Sequence, residues 1–248
     1  MTKFNHDSIV PFKDSDLTKK QQVAKMFNHI AFRYDFLNRF LSGGVDVYWR
    51  RRALREISGS KPKFVLDVAT GTGDMAILIS RMLHTEKTVG IDISEGMLEV
   101  GRKKIAKLGL AGQVDLLTGD AESIQFPDNS FDAITVAFGV RNFEKLQTGL
   151  SEMKRVLKPG GKLLILEFSK PRRSGFKHLY DFYMKNIAPG VGKFFSKNEE
   201  AYKYLDESVR AFPEGEAFLT ILNDCGYIST GAKKLTQGIC TIYSATKP

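Results

Sequence analysis

Between Lys20 and Ser42, Val23, Met26, Phe27, Ile30, Ala31, Tyr34, Leu37 and Leu41 recur every three or four positions, one apolar stripe along a helix. Gly43 and Gly44 end it. A shorter helix is expected over Val45–Ile57, before the break at Ser58-Gly59-Ser60-Lys61-Pro62. The period then changes. Short apolar runs at Phe64–Val68, Thr88–Asp92, Val114–Leu117, Phe131–Val136 and Lys162–Phe168 read as strands. Helical stretches separate most of them: Asp74 to about Leu83, Ser94–Lys107 with Ser94 as its cap, and Leu146–Val156. Strands alternating with helices predict a doubly wound, mostly parallel α/β sheet covered on both faces.

Past Lys170 the alternation stops. Residues 176–204 interleave aromatics such as Phe176, Tyr180, Phe182 and Tyr183 with Lys177, Lys185, Lys193, Lys197 and Lys203. A helix is expected from Pro213 to about Cys225, then two strands, Gly231–Thr236 and Ile239–Thr246, turning at Gln237-Gly238. A connection that short makes them antiparallel, so the sheet is mixed at that edge. The organisation is one unit: a helical cap over 1–60 and a sheet domain over 61–248, carrying an aromatic-rich helical lid at about 171–212.

Composition narrows the classes. Cys225 and Cys240 alone give neither a disulfide framework nor a zinc site, which makes a reducing cytoplasm the expected compartment. The first 16 residues are too polar for a signal peptide, and no uninterrupted apolar run is long enough to span a bilayer. The net charge of +9 admits a polyanionic partner or an anionic membrane surface.

The chemistry starts at Asp67-Val-Ala-Thr-Gly71-Thr-Gly73-Asp74, between the first strand and its helix. Glycines there allow a sharp turn and close approach of a ligand to the backbone. Gly71-Thr-Gly73-Asp-Met-Ala76, with Asp92 about 20 positions on, also fits a dinucleotide fingerprint, so a nicotinamide oxidoreductase is the rival. Against it, Asp67 and Asp74 flank the loop and suit a cationic ligand better than a pyrophosphate. The only Tyr-x-x-x-Lys pattern, Tyr243 to Lys247, lies in the last strand. The loop favours the sulfonium of S-adenosylmethionine. Asp92 at the end of the second strand suits the ribose hydroxyls. Asp120, after the third, suits the adenine amino group, and small Ala121 leaves room for the ring.

Ala31-x-Arg33-Tyr34-Asp35-x-Leu37-Asn38, Trp49-Arg50, Phe126–Asp132, Phe138-Gly139-Val140-Arg141-Asn142 and Leu166-Glu167-Phe168-Ser169-Lys170-Pro171 resemble the family that C-methylates the quinol ring in menaquinone and ubiquinone biosynthesis. The likeness continues through Tyr202–Ser208 and Phe212-Pro213, nearly the whole chain. It implies a class I S-adenosylmethionine-dependent methyltransferase fold and cofactor contacts at Thr72, Asp92, Asp120 and Ala121. Where some relatives carry a serine this chain has Ala137, and Ala69 replaces a glycine frequent in class I enzymes.

On that reading Arg141 and Asn142 follow the fourth strand, where substrate meets the methyl group. Arg141 stays protonated and suits stabilising a quinol anion; Asp74, Tyr34 and His29 are candidate bases. No metal is needed. The expected partner is a polyprenyl quinol, demethylmenaquinol or a methoxy-polyprenyl benzoquinol. Its insoluble tail calls for peripheral contact with the inner face of the cytoplasmic membrane, through residues 176–204 and the N-terminal helix. A homodimer stays open. Nucleic acid is not expected as a partner, since neither an Asn-Pro-Pro-Tyr-like nor a catalytic Cys signature follows the fourth strand.

Overall fold

The computed structural model describes residues 4–170 and 199–248. Two helices open the chain, α1 (Lys19–Leu41) and α2 (Val45–Leu54). Thr18 starts α1 with a capping box, its hydroxyl accepting from the backbone of Gln21 while the Gln21 side chain accepts from Thr18 N–H. Left-handed Gly43 and Gly44 then turn the chain into α2. β1 (Phe64–Val68), α3 (Asp74–Leu83), β2 (Lys87–Asp92), α4 (Glu95–Lys107), β3 (Val114–Thr118), β4 (Phe131–Ala137), α5 (Leu146–Val156) and β5 (Leu157–Phe168) follow. The last described elements are α6 (Glu199–Ala211), α7 (Glu216–Asp224), β6 (Ile228–Leu235) and β7 (Cys240–Thr246).

The seven strands form one sheet in the order β3-β2-β1-β4-β5-β7-β6. β3 through β5 pair in parallel; β7 runs antiparallel to both β5 and β6. One face buries Leu66, Ile134 and Ile165 under α5 and α7, anchored by Leu150, Met153 and Phe218. The opposite face buries Val65, Leu164 and Ile242 beneath Trp49 and Leu54 of α2 and Ile79 of α3. Residues adjacent in each strand feed opposite faces, as the strand repeat requires.

The differences from expectation are local. β5 starts at Leu157, because Leu157 pairs with Phe131 and the chain bulges through Lys158–Gly161 before Lys162 pairs with Ala133. α7 is shorter than the helix expected from Pro213, and α6 fills part of the stretch expected as lid. Residues 171–198, which hold most of that lid and its aromatics, lie outside the described residues.

Candidate functional site

A cleft open to solvent lies at the carboxyl ends of β1, β2 and β4, where open α/β sheets bind ligands. Gly71, Asp92, Ile93, Met97, Gly119, Asp120, Ala121, Ala137, Phe138, Asn142 and Phe143 line it from the sheet side. α1 closes it with Lys20, Val23, Phe27 and Tyr34.

The glycine loop is held from below. Asp67 ends β1 fully buried and accepts from the Thr135 hydroxyl at 2.5 Å and the Thr70 hydroxyl at 2.6 Å. Burial raises its carboxyl to about 6, with those hydroxyls and the charge of Arg50 opposing the rise. Asp67 therefore supports the loop from outside the cleft. Asp92 accepts from Gly71 N–H at 2.8 Å and Ser94 N–H at 2.9 Å, joining the ends of β1 and β2. Burial raises its carboxyl too, against those backbone donors.

Thr72, Gly73 and Asp74 turn away from the cleft. The Thr72 hydroxyl donates to Asp35 of α1 at 2.5 Å. Lys104 of α4 bridges Asp74 at 2.6 Å and Asp35 at 2.8 Å, and Arg39 lies 3.5 Å from Asp74. Burial pushes the Asp74 carboxyl up, but Lys104, Arg50 and Arg39 carry it below its ordinary value. It is thus a poor base. At the third strand's end Asp120 meets Lys20 at 2.5 Å, and the same ammonium lies 3.3 Å from Glu122. Burial lowers the Lys20 ammonium, yet its bonds and charge pairing with Asp120 and Glu122 leave it raised. The sequence pattern did not single out Lys20, because nothing local says that α1 starts beside the end of β3.

Asn142, which also lines the cleft, accepts from the Tyr204 hydroxyl of α6 at 3.0 Å; burial holds that phenol above its usual value. Tyr34 is likewise raised by burial, so it faces the cleft as a phenol. His29 lies on the exposed side of α1. Arg141 is buried behind Phe138: its guanidinium donates to the Phe138 carbonyl at 2.6 Å and to buried Glu167 at 2.7 Å. Among the described residues its buried Nε has no hydrogen-bond partner.

Two residues at neighbouring strand ends are strained. Ala69 has φ +53° and Phe138 φ +59°, a region non-glycine residues enter at a cost of about 1–2 kcal/mol. Between them Gly139 packs so tightly that a Cβ there would sit 2.5 Å from the Ala69 Cβ. Trp49 and Phe168 pack against the Phe138 ring, which the Arg50 guanidinium overlies at 5.4 Å. The resulting cleft offers carboxylates for a diol and an amino group, apolar walls, and hydrogen-bonding groups able to hold an oxyanion.

Comparisons with known proteins agree. A demethylmenaquinone methyltransferase of Bacteroides fragilis is 47% identical over 244 residues, 98% of this chain and 99% of that one. A ubiquinone/menaquinone biosynthesis C-methyltransferase UbiE of Geobacter sulfurreducens is 48% identical over 233 residues, covering 93% and 91%. Among solved structures, a SAM dependent methyltransferase from Aquifex aeolicus superposes with a TM-score of 0.59 at 25% identity, covering 80% of this chain and 89% of that one. The profile of the ubiE/COQ5 methyltransferase family matches residues 15–247, and the chain belongs to that family.

Proposed function

We propose that this protein transfers the methyl group of S-adenosylmethionine to a ring carbon of a polyprenyl quinol, demethylmenaquinol, giving menaquinol. The observation that carries this reading is that one cleft brings together the carboxylates Asp92 and Asp120, the phenol of Tyr34, the Asn142 amide and the apolar wall of Phe138. The residues suit the cofactor. Asp92 keeps acceptor capacity for ribose hydroxyls beyond its bonds from the backbone of Gly71, Ser94 and Ile93. Asp120 can accept from an adenine amino group, and Ile93, Ala121 and Phe143 supply apolar walls for the ring.

When bound, S-adenosylmethionine supplies an electrophilic methyl group. The chain supplies position and charge. A quinol ring carbon becomes nucleophilic as the adjacent hydroxyl ionises, so that oxygen needs donors. The Asn142 amide oxygen already accepts from Tyr204, which turns the side chain's N–H groups to that task, and the protonated Tyr34 hydroxyl is the second donor. Arg141 acts at one remove, pinning the Phe138 carbonyl and the Val140–Asn142 turn with its charge offset by Glu167. Phe27, Phe138 and Phe143 give the cleft apolar walls that disfavour water beside the reacting atoms. After transfer the ring carbon loses its proton to bulk solvent and aromaticity returns. The prenyl tail is insoluble, so the quinol must be met at a bilayer.

Quinones extracted from a strain lacking this chain test the reading. Accumulated demethylmenaquinone, cleared by the wild-type gene but not by Asn142→Ala, is the expected result. An accumulated unmethylated benzoquinone would move the substrate to the ubiquinone series, and an unchanged quinone pool would defeat the proposal.

A further inference from the structure

α2 lays Trp49, Ala53 and Leu54 on an apolar face of the sheet, and Arg50 goes under with them, only 8% exposed. Its neighbours behave as surface arginines do: Arg51 and Arg55 are exposed, and Arg52 pairs with Glu56. Arg50 instead pairs one turn back with Asp46, itself buried, whose other oxygen accepts from the Ser42 hydroxyl at 2.8 Å. Among the described residues the buried Arg50 Nε has no hydrogen-bond partner. A buried ion pair gains little over well-packed apolar side chains, and an unmade hydrogen bond adds a cost. Stability therefore gives no reason for a guanidinium here.

The reason lies in what it faces. The Arg50 guanidinium stands 5.4 Å over the Phe138 ring, which lines the cleft. Phe138 packs on Phe168 with 4.5 Å between centroids, and the Arg141 guanidinium lies 5.4 Å over that second ring. The titratable groups around Arg50 come from five elements: Asp46 on α2, Tyr34 on α1, Asp67 on β1, Asp74 on α3 and Cys240 on β7. Burial acts most strongly on the last four, and against it the Arg50 charge favours the ionised form of each. Tyr34 alone of the five lines the cleft. A ligand in contact with the Phe138 ring lies within roughly 10 Å of the guanidinium. At that distance and an effective dielectric of about 20, a unit charge moves an acid by about one pH unit.

We propose that Arg50 is a positioning residue for methyl transfer, its guanidinium behind Phe138 holding positive potential on the cleft where the quinol oxygen ionises beside Tyr34. The proposal rests on the quinol reading above and deepens it, adding a buried charge to the two donors, Asn142 and Tyr34, already assigned to that oxygen. The chemistry is unchanged. The hydroxyl proton leaves, and the ring carbon takes the methyl as the C–S electron pair returns to sulfur. That carbon then sheds its own proton as the oxygen regains one, so one proton is released overall. A nearby cation favours the quinolate and lowers the pH at which it forms.

The pH profile of kcat, measured on the full chain with a tail-less, water-soluble quinol, tests this. Its acid limb reports ionisation of the bound quinol. Arg50→Met removes the cation and should move that limb up by about one pH unit, with the plateau rate near wild type. Arg50→Lys keeps the charge and should leave the midpoint in place. Asp46→Asn removes the carboxylate that offsets the guanidinium and should move the limb the other way. Should Arg50→Met fail to fold by thermal melt, Asp46→Asn/Arg50→Met should show its limb about one unit above that of Asp46→Asn. A folded variant whose kcat falls evenly at every pH has lost packing rather than charge and would overturn the proposal. Unshifted limbs would do the same, as would a loss of calorimetric affinity for S-adenosylmethionine equal to the loss in kcat. Wild-type protein that methylates no quinol would overturn the quinol reading, and this proposal with it.

Discussion

Asp67→Asn isolates the cost of a buried charge beneath the cofactor loop. Both carboxylate oxygens of Asp67 accept hydroxyl hydrogen bonds, from Thr135 and Thr70, yet burial still lifts the carboxyl from 3.8 to about 6. The neutral form is therefore favoured in the folded chain relative to the unfolded one. Below the unfolded value both states are protonated and the site costs nothing. As pH climbs from 3.8 to about 6 the unfolded chain ionises first, so folding stability falls. Above that window the penalty is constant at about 3 kcal/mol. An asparagine fits the same space, accepts one hydroxyl through its oxygen, and donates to the other. It carries no titration. Urea unfolding of both proteins between about pH 4 and pH 7.5 should show the variant gaining about 3 kcal/mol relative to wild type across the window. A difference that stays flat with pH would refute the reasoning, whatever its size, since a lost hydrogen bond or a packing defect has no such profile.

Other consequences concern the turn from Gly139 to Asn142. Arg141→Ala leaves Glu167 buried without its cation and should destabilise the fold by about 3–5 kcal/mol, while Arg141→Met/Glu167→Leu should recover most of it; a single substitution costing under about 1 kcal/mol in thermal or urea unfolding would show that the pair is not the one described. Gly139→Ala drives a methyl into Ala69 and should cost about 1–3 kcal/mol together with a raised KM for quinol; wild-type stability and KM would mean the two strands can part there. Asn142→Ala should lower kcat on the order of a hundredfold with calorimetric affinity for S-adenosylmethionine nearly unchanged, and equal losses in both would remove Asn142 from the substrate end.

Much of this was legible because the signals were local. A run such as Phe64–Val68 closed by a glycine turn can only be a short buried strand entering a helix, and the rule for carboxyl ends of parallel strands then places Gly71, Asp92 and Asp120 together. Acids whose partners come from distant elements were legible only as acids. Asp74 follows the loop in sequence, but Lys104 and Arg39 reach it from α4 and α1 and draw it out of the cleft. Asp67 stands at the loop entrance, yet the strand repeat sends its side chain into the sheet toward Thr135 of the neighbouring strand. Arg141 reads as a free cation until Glu167, 26 positions on, is seen beside it.

α1 bears on how the cleft opens. It supplies Lys20 beside Asp120, Tyr34 to the cleft wall, and Asp35 to Thr72 and Lys104. Ligand exchange past α1 must therefore break the Lys20–Asp120 and Asp35–Lys104 pairs. Their side chains are only partly shielded, about 26% to 34% exposed, so each contributes about 0–1 kcal/mol. Such pairs are weak latches. The firmer hold on α1 is the apolar contact of Val23 and Met26 with Tyr204, whose hydroxyl fixes Asn142. Displacing α1 therefore costs chiefly that apolar contact rather than the ion pairs, while the turn carrying Asn142 stays pinned by Arg141.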